Sequence, residues 1–192
     1  MLAKSKESLK TSKMNFDLSK NGSTVTLGII SDTHAYMDPT VLRQVQHCDA
    51  VVHAGDICDG VVLDELTAVC ETVIAVTGNN DHEHVWPEEQ HAVVNALPEV
   101  ATIDLPGGVV VVEHGHRHGM HKPCHSSLRA THPDARIIVY GHTHESVWDT
   151  DTSPWVVNPG AAGNTRTQGG PGCAILSASE KEWHLEFHRF TT

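Results

Sequence analysis

The sequence predicts an α/β protein, a sandwich of two packed sheets with helices outside. Three observations carry that expectation. Residues 24–77 alternate strand-like and helical segments, the second half breaks into short strands separated by turns, and polar residues gather where the apolar runs stop. The 192-residue chain is 39% hydrophobic and 19% charged, an ordinary globular balance with room for a sizeable core.

Taken in order, "TVTLGII" (24–30) is an apolar run of buried-strand length that ends abruptly at Ser31-Asp32. Pro39 to His47 is polar and weakly helical, and "DAVVHA" (49–54) is the second strand candidate. Val61 to Cys70 carries apolar residues at helical spacing, and "TVIAVT" (72–77) is a third strand. That alternation is the pattern of right-handed crossover units on a parallel sheet. Further on, "VATIDL" and "VVVVEH" flank Pro106-Gly107-Gly108, a hairpin signal. A short helix is expected over Ser126 to Thr131, and "ARIIVYG" (135–141) returns as a strand. "SVWDT", "PWVVNPG", "CAILSAS" and "EWHLEFHRF" follow as short antiparallel strands, and the glycine-rich 160–172 is a loop. It lacks the GKS or GKT of a phosphate-cradling P-loop.

Net charge is −11, unevenly spread. Residues 1–20 hold five lysines against Glu7 and Asp17, which leaves eight basic and 22 acidic residues in the remainder. Residues 1–22 are therefore expected to be a basic, flexible tail, and 23–192 a single domain. So acidic a body repels a phosphate backbone and argues against extended nucleic-acid binding. The five cysteines show no CxxC spacing, which points to a reducing compartment and hence the cytoplasm. No apolar run approaches the roughly 20 residues of a membrane-spanning helix.

The informative feature is where each strand stops. The first three end in "SDTH" (Asp32, His34), "HAGD" (His53, Asp56) and "TGNND" (Asn79, Asn80, Asp81), and later ones in "EHGH" (Glu113, His114, His116) and "GHTH" (His142, His144). Each tetrad alone is ordinary turn or cap chemistry. In order, each directly after a strand, they deliver Asp, His and Asn to one rim, where open α/β sheets bind ligands. Mixed Asp/His/Asn donors without thiolate suit manganese, iron, zinc, nickel or cobalt rather than structural zinc. Seven donors exceed one tetrahedral ion and suit two ions sharing a carboxylate, whose residual positive charge attracts a phosphoryl group. His116, His118, His121 and His125, in a polar stretch, are expected chiefly at the surface.

The ordered set "SDTH … GD … GNND … HGH … GHTH" resembles the calcineurin-like metallophosphoesterase superfamily. The short length and "VNPGAAGNTR" (157–166) followed by "CAIL" resemble its small YfcE-type phosphodiesterases, over about residues 25–188. The resemblance implies the metallo-dependent phosphatase fold, a four-layer α/β/β/α sandwich of two mixed sheets flanked by helices. It also implies two divalent ions, manganese first with nickel, iron or zinc as alternatives. Asp32, His34 and His144 would bind the first ion, Asp56 would bridge, and Asn79, His114 and His142 would bind the second. A metal-bridging hydroxide would attack phosphorus in line in a small phosphodiester or phosphomonoester.

One position departs from many superfamily members, which carry His after "GN". Here it is Asn80, which donates a hydrogen bond to phosphate but cannot act as a general acid. His116 becomes the candidate proton donor, Asp81 a partner that fixes a loop or a ligand histidine, and Arg166 a candidate clamp on substrate phosphate. The alternatives are a nuclease of the same fold, or a catalytically weak protein-interaction scaffold like the retromer subunit of this family. A histidine-rich metal store is disfavoured because the key histidines are scattered at strand ends. The expected partner is a small phosphoester, with no membrane and with homo-oligomerisation left open.

Overall fold

The computed structural model describes residues 12–19 and 23–191. Among the described residues, eleven strands form two mixed sheets. The five-stranded sheet has the order β11-β10-β2-β3-β4, from Trp183–Arg189 (β11), Gly172–Ala178 (β10), Val25–Ile30 (β2), Ala50–His53 (β3) and Val73–Ala75 (β4). The six-stranded sheet has the order β1-β5-β6-β7-β9-β8, from Lys13–Asp17 (β1), Val100–Leu105 (β5), Gly108–Glu113 (β6), Ile137–Val139 (β7), Trp155–Pro159 (β9) and Ser146–Asp149 (β8).

Strand alternation sorts the core into three layers. Leu27, Ile29, Val52 and Leu176 from one sheet meet Ile103, Val110, Val112 and Val139 from the other across the central seam. The opposite face of the five-stranded sheet, with Ile30 and Val51, packs under α1 (Pro39–Val45), α2 (Val61–Thr67) and α3 (His91–Ala96). Val111, Ile138 and Val156 on the far face of the other sheet pack under Leu128 of α4 (His125–Thr131). The result is the α/β/β/α sandwich the sequence predicts. α1 starts at Pro39, where the Asp38 side chain accepts from the Thr40 amide as an N-cap. It lies so close over β2 that a Cβ on Gly28 would stand 3.0 Å from Val45 Cβ.

Several expectations need correction. Lys13–Asp17, placed in the basic tail, form a strand parallel to β5, with Lys13 opposite Val100. Their largely exposed, polar pattern is that of a sheet edge, which hydropathy alone reads as tail. The rest of that segment, residues 1–11 and 20–22, lies outside the described residues. The strand β9 is antiparallel only to β8 and runs parallel to β7. The helix α3 and the 3-10 turn Glu88–Gln90 before it carry no expectation from the sequence, because only Val94 of their residues is buried. No helix among the described residues is long and apolar enough to cross a membrane.

Candidate metal centre

β2, β3 and β4 run parallel to one another, as do β6 and β7, and their C-terminal turns meet at one rim of the sandwich. Close approach of these turns requires residues without side chains. A Cβ on Gly141 would stand 2.8 Å from Asp32 Oδ2, and one on Gly78 would meet the Asp56 amide nitrogen at 2.3 Å. Five ligand candidates occupy the left-handed region: Asp32, His34, Asp56, His142 and His144, with φ of 54, 47, 56, 72 and 60°.

Two groups of donor atoms gather there: Asp32 with His34 and His144, and Asp32 with Asp56 and His114, each group lying within 4.8 Å. His34 Nε2 is 3.1 Å from His144 Nε2, and His144 Nε2 is 3.5 Å from Asp32 Oδ1. Asp56 faces both groups, with Oδ2 3.7 Å from His34 Nε2 and Oδ1 3.3 Å from His114 Nε2. Asn79 Oδ1 stands 2.9 Å from His142 Nδ1. All seven expected ligand residues therefore come together at the rim.

The outer contacts fix which ring nitrogen carries the proton. His114 Nδ1 lies 2.7 Å from the Ala54 carbonyl and His144 Nδ1 lies 2.8 Å from the Thr165 carbonyl. A carbonyl only accepts, so each Nδ1 donates and each Nε2 is the nitrogen that faces inward. His142 differs, since both of its ring nitrogens face oxygens, Nε2 the Met120 carbonyl at 2.8 Å and Nδ1 the Asn79 Oδ1 at 2.9 Å. Asp32 is fully buried, and its Oδ2, like His114 Nε2, has no hydrogen-bond partner.

The electrostatics are those of a site short of positive charge. Burial, and then the neighbouring Asp56 carboxylate, push Asp32 up to about 7 against the pull of His114. Burial also works against charge on His114, yet Asp56 and Asp32 outweigh it and raise the imidazole to about 9. Asp56 stays well below the ordinary carboxylate range despite burial, because the His114 imidazole 3.3 Å away favours its charge and both the backbone and side-chain amides of Asn80 donate to it. Burial lowers His34, and His144 to about 4, with Arg166 adding to the effect. Orphaned buried polar atoms, inward-facing ring nitrogens and an acid pair served by one imidazole fit divalent cations.

The remaining candidates fall into distinct places. Asn80 Nδ2 donates to Asp56 Oδ2 at 2.7 Å, inside the centre. Burial, then His114 and Arg117, push the half-buried His116 down to about 4, so its ring is neutral near pH 7. Arg166 is exposed, and its guanidinium reaches His144 Nε2 at 2.9 Å. Asp81 accepts from the amides of Ile57, Cys58 and Gly78 and from Trp86 Nε1, which ties the β3 and β4 turns together. His53 lies beneath the site with Nε2 on Thr33 Oγ1 at 2.9 Å, a structural role.

Three of the four histidines expected at the surface, His116, His118 and His125, are only partly exposed. His118 contacts Glu113 and Ser127, and His125 sits between Asp149 and Tyr140. The sequence reasoning also missed Cys58, whose sulfur is 3.5 Å from His34 Nδ1. It missed the role of Asn158 as well. This buried side chain donates to the Gly141 carbonyl at 2.7 Å and so holds the GHTH turn. The quoted "VNPG" carried that residue, but nothing in its spacing announced the contact.

Comparison with known proteins agrees with this geometry. The calcineurin-like phosphoesterase superfamily domain matches residues 25–181. Phosphodiesterase MJ0936 of Methanocaldococcus jannaschii is 27% identical over 165 residues, covering 82% of this chain and 95% of its own. A solved archaeal phosphodiesterase superposes with a TM-score of 0.63 at 25% identity, covering 85% of this chain and 99% of its own. In fold alone, zinc-complexed Vps29 of Entamoeba histolytica is also similar, with a TM-score of 0.67 at 18% identity over 86% of this chain and 98% of its own. The chain thus belongs to the calcineurin-like phosphoesterase superfamily, alongside its small YfcE-type members.

Proposed function

We propose that the protein is a dinuclear metal-dependent hydrolase of small phosphodiesters or phosphomonoesters. The observation that carries this reading is the set of buried, unspent donor atoms at the rim, above all Asp32 Oδ2 and His114 Nε2. Asp32, His34 and His144 would hold one cation, Asn79, His114 and His142 a second, with Asp56 between them. The bound cations supply Lewis-acid stabilisation of phosphoryl oxygens and acidify water. Manganese is the first choice, with nickel, iron or zinc as alternatives.

The chain's own residues do the rest. Asn80 can turn a side-chain N–H from Asp56 towards a phosphoryl oxygen, and Arg166 stands at the rim within reach of a second one. His116 holds no proton to spare near pH 7, so it can serve the leaving oxygen only if the negative charge of a bound substrate restores that proton. The full complement of donors supports an enzyme over a scaffold, and the acidic body disfavours a nuclease. Five free cysteines suit the reducing cytoplasm, and residues 23–192 act as one domain that β1, from the basic segment 1–22, joins at a sheet edge.

The test is activity of metal-stripped protein titrated with manganese, nickel, zinc and magnesium on paired aryl mono- and diesters. Turnover restored near two ions per chain and lost in Asp56→Ala supports the proposal. Binding of metal without turnover of any activated ester moves the reading to the scaffold.

A further inference from the structure

The histidine-rich stretch behind the rim has a neighbourhood of its own. Along β6, Val110 and Val112 face the seam between the sheets, whereas Val111 packs towards α4. Glu113 continues that outward face and is nevertheless only 2% exposed. Its Oε1 lies 2.7 Å from His118 Nε2, and its Oε2 lies 3.3 Å from the Arg117 guanidinium and 3.7 Å from His132 Nε2. Arg117 also pairs with Glu99 at 2.6 Å, and His118 Nδ1 is 2.8 Å from Ser127 Oγ on α4. One buried carboxylate on β6 thus faces the 3-10 turn His116–His118 and His132 at the end of α4, and reaches the start of α4 only through the His118–Ser127 contact.

A buried carboxylate destabilises a fold unless its partners compensate, and an apolar residue would fill this place on β6 without that burden. A cavity of about 430 Å³ adjoins the cluster, lined also by Lys13 and Thr131. Lys13 and Arg117 are matched there by Glu99 and Glu113, so no net charge draws an ion into it. What the cluster does hold is the turn. On the other side of that turn, His116, Arg117, Gly119 and Met120 line a second cavity of about 420 Å³ with Asn79 and His142. This is the space beside the proposed centre where the organic part of a phosphoester would lie.

We infer that Glu113 is a positioning residue: by gripping Arg117 and His118 from behind, it sets the His116–Met120 wall of the substrate cavity. The inference rests on the phosphoesterase reading for its kinetic consequence, but not for its structural one. A wall that contacts the non-reacting alcohol groups acts on ground-state binding. The effect therefore falls on KM, and more on a diester with two organic groups than on a monoester.

The experiment compares wild type with Glu113→Gln, which keeps the shape and removes the charge. Amide exchange across residues 115–124 is the first readout, because the His118 amide donates to the Gly115 carbonyl and the Cys124 amide to that of His118. Exchange there is expected to quicken by about ten-fold, with the core strands unchanged. The second readout is manganese-loaded turnover, where KM for an aryl diester should rise about five-fold with kcat within about two-fold. His118→Asn should reproduce both effects, which covers the case of a Glu113 variant that does not fold. The double variant should be no worse than either single one.

Unchanged exchange and unchanged KM overturn the inference. So does a joint fall of kcat and metal occupancy, which would mean that Glu113 acts through His114. A wild type inert to every ester, with the exchange response intact, refutes the phosphoesterase reading and upholds the control of the wall by Glu113.

Discussion

The two sheets bring unlike chemistry to the same rim. The five-stranded sheet supplies both carboxylates, Asp32 and Asp56, together with Asn79 and His34, whereas the six-stranded sheet supplies imidazoles alone, His114, His142 and His144. Carboxylates sit on one side of the seam and inward-facing ring nitrogens on the other. Neither set is satisfied by its own sheet, as the unpartnered Asp32 Oδ2 and His114 Nε2 attest. The proposed centre is therefore a property of the seam rather than of either sheet, and its affinity for cations depends on how the two sheets are held together.

The largest expected effect tests the asymmetry directly. Asp56→Asn removes charge from the carboxylate side and should lower kcat/KM by about 10³-fold, or ~4 kcal/mol of transition-state stabilisation. His142→Asn on the imidazole side should cost only about 10- to 100-fold. Equal losses in steady-state assays would break the comparison. Next, Ile103→Ala opens a cavity in the seam, where Ile103 is fully buried, and should cost about 3 kcal/mol in denaturant unfolding. Metal affinity, followed by calorimetry, should weaken in the same variant, and an unchanged Kd would mean that sheet placement does not govern the site.

Metal removal comes third. Ions that bridge the seam at 100 times their Kd add about 2.7 kcal/mol, so chelation should lower Tm by about 5–10 °C for a chain of this length. A Tm indifferent to chelation would leave the sheets unbridged. The smallest effect concerns His53, at the end of β3. Burial, against the pull of nearby acids, holds its pKa below the ordinary value of 6.5. The unfolded chain then takes up the proton first as pH falls, so the stability owed to neutral His53 is complete above about pH 6.5 and declines below it. The slope cannot exceed about 1.4 kcal/mol per pH unit from one group. His53→Gln should flatten the Tm profile between pH 6.5 and 5, and a parallel profile would assign the slope to other groups.

Much of this was legible from residue order. Apolar runs that stop at Asp, His or Asn marked the parallel strands and the rim together, because strands buried on both faces have only their ends for polar side chains. β1 was not legible, because Lys13–Asp17 owe their strand form to pairing with β5 rather than to any apolar face of their own. Glu113 was quoted as part of "EHGH", but its grip on Arg117 and His118 depends on a turn folding back over β6, which no spacing encodes. His118 and His125 were misjudged for the same reason. A polar stretch looks solvated until long-range carboxylates such as Asp149 close on it.

The left-handed backbone at Asp32, His34, Asp56, His142 and His144 bears on the vocabulary of the site. Among residues with a side chain, Asn, Asp and His adopt that conformation several-fold more readily than the rest. Glutamate and cysteine ligate metals as well but adopt it less readily, although Cys58, two residues after Asp56, does so here with φ of 67°. The tight turns that bring the sheet ends within reach of one another therefore filter which amino acids can stand there, before any question of which ion is bound. Five of the seven proposed ligands pass through that filter, and Glu113, the acid beside the rim that does not, lies in extended strand on the opposite face. Repertoire here follows from curvature: a designer seeking a glutamate centre on this frame would have to rebuild the turns first.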